Sequence, residues 1–338
     1  MARRRSADTG SVRRALLVFT VLAFLLAPQA VGLPDVARLL LGLSGDPGRF
    51  QAQTGQISAV HSFFLGWQQG QTWGTTFPKM LGRMGATPMF HIGTKGRSKH
   101  EAITPRQVAS GAGDEFLIAL NQGVAQYGGL VYGRFLAEGN HCGRNYAAFT
   151  CSGGSRGPQY SPAAHAHAFA RFSAILHGGT RAEISAKLRQ QGLPPYVGPD
   201  LPVNPPSLLR LIWNPLAGAR PSTTANAWRR YYPGDVAVDV VGNDMYGSSA
   251  GWSGTQNEAL YAFARGHGKP YAFPEWGLEE DDAPAFVQYI CDFIRGKAAI
   301  ELAAYYEAKA GSRWDLATRP ASRERYRRCI TPLGRAAS

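Results

Sequence analysis

Two stretches far apart in this chain follow one plan, and that plan narrows the folds open to it. In Gly129-Leu-Val-Tyr-Gly-Arg-Phe-Leu-Ala-Glu-Gly-Asn140, Leu130 to Leu136 are apolar and aromatic enough for a buried strand, with Gly128-Gly129 as the turn leading in. In Lys269-Pro-Tyr-Ala-Phe-Pro-Glu-Trp-Gly-Leu278 a short apolar strand runs into Glu275 and then a glycine. Between them, Tyr232-Pro-Gly-Asp-Val-Ala-Val-Asp-Val-Val-Gly-Asn-Asp-Met-Tyr246 is a third strand with a polar end. Side chains alternate along a strand, so Arg134, Leu136 and Glu138 are expected on one side. A carboxylate and a guanidinium sharing a strand end form a candidate active-site corner; a structural salt bridge is the competing account.

Two strand-ending glutamates suit glycoside hydrolysis, which needs one carboxyl group protonated as acid and one ionised as nucleophile or base. The patterns Arg134-Phe-x-x-Glu138-x-Asn140, Tyr232-Pro-Gly-Asp-x-x-Val-Asp-Val-Val-Gly-x-Asp-x-Tyr246 and Lys269-Pro-x-x-x-x-Glu275-x-Gly277 resemble those of the mannanase-type family 26 glycoside hydrolases, over roughly residues 39–306. The resemblance implies a (β/α)8 barrel of the retaining clan, with the acid/base ending strand four and the nucleophile ending strand seven. Those roles fall on Glu138 and Glu275. It also implies a strand-six tyrosine, here Tyr246, in contact with the nucleophile. The family usually has histidine directly before the acid/base, where this chain has Ala137.

The two roles ask for different surroundings. Glu138 needs partial desolvation to stay protonated, and Glu275 needs donors, for which Arg134 and Tyr246 are the obvious suppliers. Asp244 shares strand parity with Tyr246 and is placed to orient Arg134 or meet a sugar hydroxyl. Trp213, Trp276 and Trp252 are candidate sugar platforms, each with plain packing as the rival reading. Asn140, His141, Asn214 and His91 are candidate hydrogen-bonding groups for substrate. Retention requires the two carboxyl groups about 5–5.5 Å apart, and inversion about 6.5–9.5 Å.

The chain start carries its own signal. Five arginines precede an apolar run, Ala15 to Ala27, that holds one threonine and that Pro28 ends. This describes a secretory signal peptide over residues 1–32, with an uncleaved membrane anchor as the alternative, although a span wants about 20 apolar residues. Residues 33–338 then form one catalytic domain, a comfortable length for a barrel of about 250 residues with insertions. Export would remove five arginines and one aspartate, lowering the net charge of +13 to +9. Such a balance favours anionic polymers, including acidic cell-wall glycans. The densest basic cluster, Arg323 to Arg328, reads as a solvated helix face, and no nucleic-acid module is recognisable. The four cysteines suggest two disulfides, most simply Cys142–Cys151 and Cys291–Cys329.

Eight strands are expected: Leu39–Leu43, Ile57–Leu65, Thr87–Gly93, Leu130–Ala137, Leu208–Trp213, Val236–Asp244, Pro270–Pro274 and Ala299–Tyr306. The resemblance implies the first of them. Asp114 is expected to cap a helix ending at Gly128, Thr180-x-x-Glu183 opens another as a capping box, and a third covers roughly Pro162 to Leu176. Glu279-Glu-Asp-Asp282 is expected to cap the helix that begins near Pro284. The proline-rich run 193–206 reads as an extended crossing.

These observations describe an exported, monomeric, retaining endo-glycosidase that needs no cofactor or metal and acts on a β-linked polysaccharide, β-1,4-mannan being the family-typical substrate. Two alternatives stay open: a non-catalytic carbohydrate- or wall-binding barrel, and a hydrolase of another β-glycan such as xylan or mixed-linkage glucan.

Overall fold

Nine parallel strand segments build the wall in the computed structural model, which describes residues 39–334. The expected signal peptide over residues 1–32 lies outside the described residues. The segments are β1 (Leu40–Ser44), β2 (Val60–Leu65), β3 (Thr87–Ile92), β4 (Val131–Phe135), β5 (Leu209–Trp213), β6 (Val240–Gly242), β7 (Met245–Gly247), β8 (Tyr271–Leu278) and β9 (Ile300–Tyr306). β6 and β7 both pair with β8, so they are two halves of one stave interrupted at Asn243-Asp244. β1 pairs with β9 from Leu40↔Leu302 to Ser44↔Tyr306 and closes the circle. The result is the expected eight-stave (β/α)8 barrel, its strands within a few residues of the ranges predicted.

Alternation along each strand sorts the core into two. Val60, Met89, Tyr132, Ile212, Val240, Ala272, Leu302 and Ala304 fill the barrel interior. Their neighbours along each strand, such as Phe90, Leu211, Phe273 and Tyr305, face outward into the larger core beneath the helices. Gly242 has no room for a side chain, because a Cβ there would lie 2.6 Å from Pro274 and 2.7 Å from Ile212. At the N-terminal end of the barrel Leu39 bridges Gly334, bringing the two ends of the described chain side by side.

The helix Asp114–Tyr127 ends at a left-handed Gly128 as expected, and Thr180 and Glu183 form the capping box of Arg181–Gln190. Three local expectations are corrected. Gly113, not Asp114, is the N-cap, because the Asp114 carboxylate serves as counter-ion to buried Arg171 of the helix Pro162–His177, with 2.6 Å to Nε. The acidic run does not cap Pro284–Gly296, whose N-cap Ala283 makes no side-chain bond. Asp282 instead accepts from the amides of Ala321 and Ser322 at the start of Pro320–Cys329, and Asp281 from Ser249. Finally, Leu136 does not share a face with Arg134. β4 stops at Phe135, and Leu136, at φ +51°, turns outward into the helix-side core.

Disulfides join Cys142 to Cys151 and Cys291 to Cys329. The first closes the loop after Glu138, and the second ties Pro320–Cys329 to Pro284–Gly296. Arg325, Arg327 and Arg328 are exposed on that last helix. Among the described residues, no helix is long and apolar enough to cross a membrane.

Candidate active site

Two backbone irregularities bring the glutamates to the C-terminal mouth of the barrel. After Leu136 turns out, Glu138 adopts a second left-handed conformation, φ +56°, and swings back over the interior. Such conformations cost a non-glycine residue about 1–2 kcal/mol each. They are held by Glu138 N–H donating to Asn214 O (2.7 Å) and by the Tyr146 hydroxyl donating to Ala137 O (2.7 Å). On the other side, β8 does not stop before Glu275 but runs on to Leu278. Its register against β9 shifts between Phe273 and Trp276, the mark of a bulge around Pro274-Glu275. The bulge reverses the alternation: Ala272 faces the interior, yet Glu275 reaches the mouth while Trp276 faces out.

One carboxylate oxygen each of Glu138, Asp244 and Glu275 lie within 4.8 Å of one another, and all three side chains are buried. Arg134, on β4, is the hub beneath them. Its Nε donates to Asn214 Oδ1 (2.7 Å), Nη1 to Glu275 Oε2 (3.2 Å) and Nη2 to Asp244 Oδ2. The Tyr246 hydroxyl donates to the other Glu275 oxygen. Arg144, from the disulfide-closed loop, places both Nε (3.0 Å) and Nη2 on Glu138 Oε2.

The proton distribution follows from these contacts. Burial pushes Asp244 well above the usual carboxylate range; Arg134 opposes this, while the charges of Glu275 and Glu138 reinforce it. Burial also pushes Glu138 up, but the Arg144 charge and hydrogen bonds from Asp244 and Arg144 pull it below its ordinary value. Of the two, Asp244 is therefore the one that holds a proton, and Glu138 is ionised. Burial, with the charges of Glu275 and Glu138, holds the Tyr246 phenol well above its usual pKa, so it remains a donor. His91 is kept neutral by burial and by the charges of Arg134 and Arg144.

Around this cluster opens a cleft of about 870 Å³. Glu138, Glu275, Asp244, Tyr246, His141 and Trp252 line it; Trp252 leans on Phe286 and Tyr289 and is partly exposed. Asn214 and His91 lie below the cleft wall, Asn214 gripping Arg134 and His91 near the Tyr146 hydroxyl (3.4 Å). Three expected substrate contacts are corrected. Trp213 faces outward among Trp228, Tyr232 and Phe263, donating to Tyr231 O, because Ile212 takes the interior parity. Trp276 is fully buried and stacks on Tyr326, sent there by the bulge. Asn140 uses both ends of its amide on the backbone of Leu216 (2.8 and 2.9 Å), so it clips the loop after β5.

The cleft also contains residues that the motifs did not single out. Phe64, Tyr306 and Trp314 form an aromatic wall, Tyr306 meeting Trp314 edge-on at 5.2 Å and Phe64 at 6.2 Å. Tyr306 ends the last expected strand, and that position was the available clue. Arg144, Arg220 and Arg313 line the cleft from loops, where no periodicity marks them.

The barrel has known counterparts. A mannanase from Bacillus subtilis is similar at TM-score 0.55 and 15% identity, with 84% of each chain covered. An endo-β-1,4-mannanase from Cellulomonas fimi is similar at 0.56 and 15%, covering 87% of this chain and 70% of that one. A family 26 β-mannanase from Bacteroides ovatus is similar at 0.51 and 16%, covering 86% and 88%. What they share with this chain is the fold. No protein-family model and no curated protein sequence matches it.

Proposed function

We propose that this protein is an exported retaining glycoside hydrolase cutting a β-linked polysaccharide of the mannan type. The observation that carries the reading is the approach of Glu138 and Glu275 oxygens within 4.8 Å at the floor of an open cleft. This suits retention, which uses carboxyls about 5–5.5 Å apart, and leaves no room for the water that inversion inserts. The structural neighbours named above are mannanases, which supports the substrate class. An arginine-rich start, an apolar run and two disulfides support export.

In this reading the Glu275 carboxylate attacks the anomeric carbon. The bond to the glycosidic oxygen breaks as Glu138 gives that oxygen its proton. Glu138 then takes a proton from water, whose oxygen attacks the same carbon, and the Glu275 ester bond breaks. Arg134 and the Tyr246 hydroxyl hold Glu275 in line, and Trp252, Tyr306 and Trp314 offer ring faces to sugar C–H groups. In the unliganded protein Glu138 is ionised against Arg144, so its acid form requires that Arg144 let go.

Reducing-end release from β-mannan, galactomannan, xylan and mixed-linkage glucan tests the proposal, with wild type and Glu275→Ala side by side. Activity on one polymer that falls at least a thousandfold in the variant is the expected result. Equal activity in the two proteins removes Glu275 as nucleophile, and inactivity on every polymer removes the mannan-type substrate.

A further inference from the structure

Positive charge gathers on one side of the glutamate pair and is left uncompensated there. Asp244 and Glu275 are answered by Arg134 beneath them, and Arg313 by Glu279 and Glu280. Around Glu138 stand Arg144, His141 and Arg220, with Glu138 the one carboxylate paired to any of them among the described residues. Arg220 is tied to this group through the backbone: its N–H donates to Asn140 O (3.0 Å) and its carbonyl accepts from Cys142 N–H (2.8 Å). Its side chain is exposed in the cleft, and its guanidinium has no ion-pair or hydrogen-bond partner among the described residues. The Nδ1 atom of His141 is buried without a hydrogen bond, 3.9 Å from Glu138. Burial lowers the His141 pKa, the charge of Glu138 opposes this, and Arg144 and Arg220 add to it, so all these groups lie within one another's field.

Building on the hydrolase reading, we propose that this side of the cleft binds a sugar bearing a carboxylate, so that the polymer cut is an acidic β-glycan with a hexuronate at the leaving-group position. Glu138 protonates the leaving oxygen, so the groups flanking it meet the leaving sugar. A neutral sugar offers hydroxyls and leaves Arg220 unanswered. A carboxylate matches the guanidinium fork of Arg220 and also competes for Arg144, which holds Glu138 through a single oxygen and is more than a third exposed. Once Arg144 turns to the substrate, the proton on Asp244 passes to Glu138, and Asp244, now ionised, keeps Arg134 as its counter-ion. Substrate charge thereby switches Glu138 into its acid form. The net charge of +9 left after export adds long-range attraction for such a polymer.

The experiment uses pairs of β-linked oligosaccharides that differ only in whether the leaving-side sugar is a hexose or a hexuronate. Wild-type kcat/KM should favour the hexuronate by about tenfold or more, the scale of charge-assisted hydrogen bonds. The preference should fall toward one in Arg220→Gln, and shrink in wild type as salt rises. Equal rates for the two sugars, or a preference untouched by both Arg220→Gln and Arg144→Gln, overturn the inference while the hydrolase reading stands. If wild type cuts neither, calorimetric titration of both oligosaccharides into Glu275→Ala decides. Tighter binding of the hexuronate supports the subsite although the hydrolase reading has failed, and equal binding overturns the subsite as well.

Discussion

Replacing Arg134 by methionine keeps much of the side-chain volume and removes the charge that three acceptors share. Asn214 Oδ1, Asp244 Oδ2 and Glu275 Oε2 all lose their donor at a nearly buried site on the cleft floor. Breaking a buried ion pair by deleting one partner costs about 3–5 kcal/mol, because the remaining charge is stranded. At roughly 2–4 °C per kcal/mol for a domain near this size, Tm should drop by about 10 °C. Burial already raises Asp244 and Arg134 opposes it, so without Arg134 the folded-state pKa of Asp244 rises further. A carboxyl raised in the folded state favours folding where it is protonated, and that stability is lost as pH climbs from the unfolded value of about 3.9 through the folded one. Wild type already keeps that proton, so the two proteins part only above the pH at which Asp244 ionises in wild type, and the deficit of Arg134→Met should grow toward the alkaline end. Adding Asp244→Asn to the variant should remove this pH-dependent part, because the residue then no longer titrates. Thermal and urea unfolding from pH 5 to 8 read all of this. A neutral-pH cost below about 1 kcal/mol, or a deficit flat across pH, would refute the argument that Arg134 neutralises the site.

In Gly247→Ala the new Cβ would lie 2.1 Å from the Phe286 ring. Overpacking of about 1–3 kcal/mol is expected, together with a lower kcat as adjacent Tyr246 shifts from Glu275; Phe286→Leu should relieve both. Arg144→Gln frees Glu138 from its main opposing charge, so on a neutral substrate the alkaline limb of kcat/KM should move to higher pH. An unmoved limb contradicts the Arg144–Glu138 pairing. The tryptophans should separate by phenotype. Trp213→Ala loses about 3–5 kcal/mol of stability, whereas Trp252→Ala raises KM with little change in Tm.

The barrel was legible because its strands are short, apolar and punctuated by glycine, proline and helix caps, and because polar residues cluster at their ends. Glu138, Glu275, Arg134, Asp244 and Tyr246 were legible for the same reason: each sits where a strand opens onto the mouth. The misplaced residues have separate physical causes. Trp213 follows ordinary alternation, and assigning Ile212 to the interior would have sent it outward. Trp276 was beyond alternation, since a bulge at Pro274-Glu275 reverses the parity. Leu136 was lost to a left-handed turn that no glycine announces. Arg144 and Arg220 lie on loops zipped together by backbone bonds far apart in sequence, a pairing that local patterns do not encode.

The bridge between Leu39 and Gly334 has a consequence for how the protein can be handled. Bridged residues lie about 4.8 Å apart, at the end of the barrel opposite the cleft. A short linker would join them, and new termini could be opened in the proline-rich crossing 193–206, giving a circular permutant with its catalytic mouth unaltered. A tether attached at either Leu39 or Gly334 leaves from the same point beneath the barrel. The molecule could then stand on a bead or a surface with its cleft facing the solution, whichever end is used.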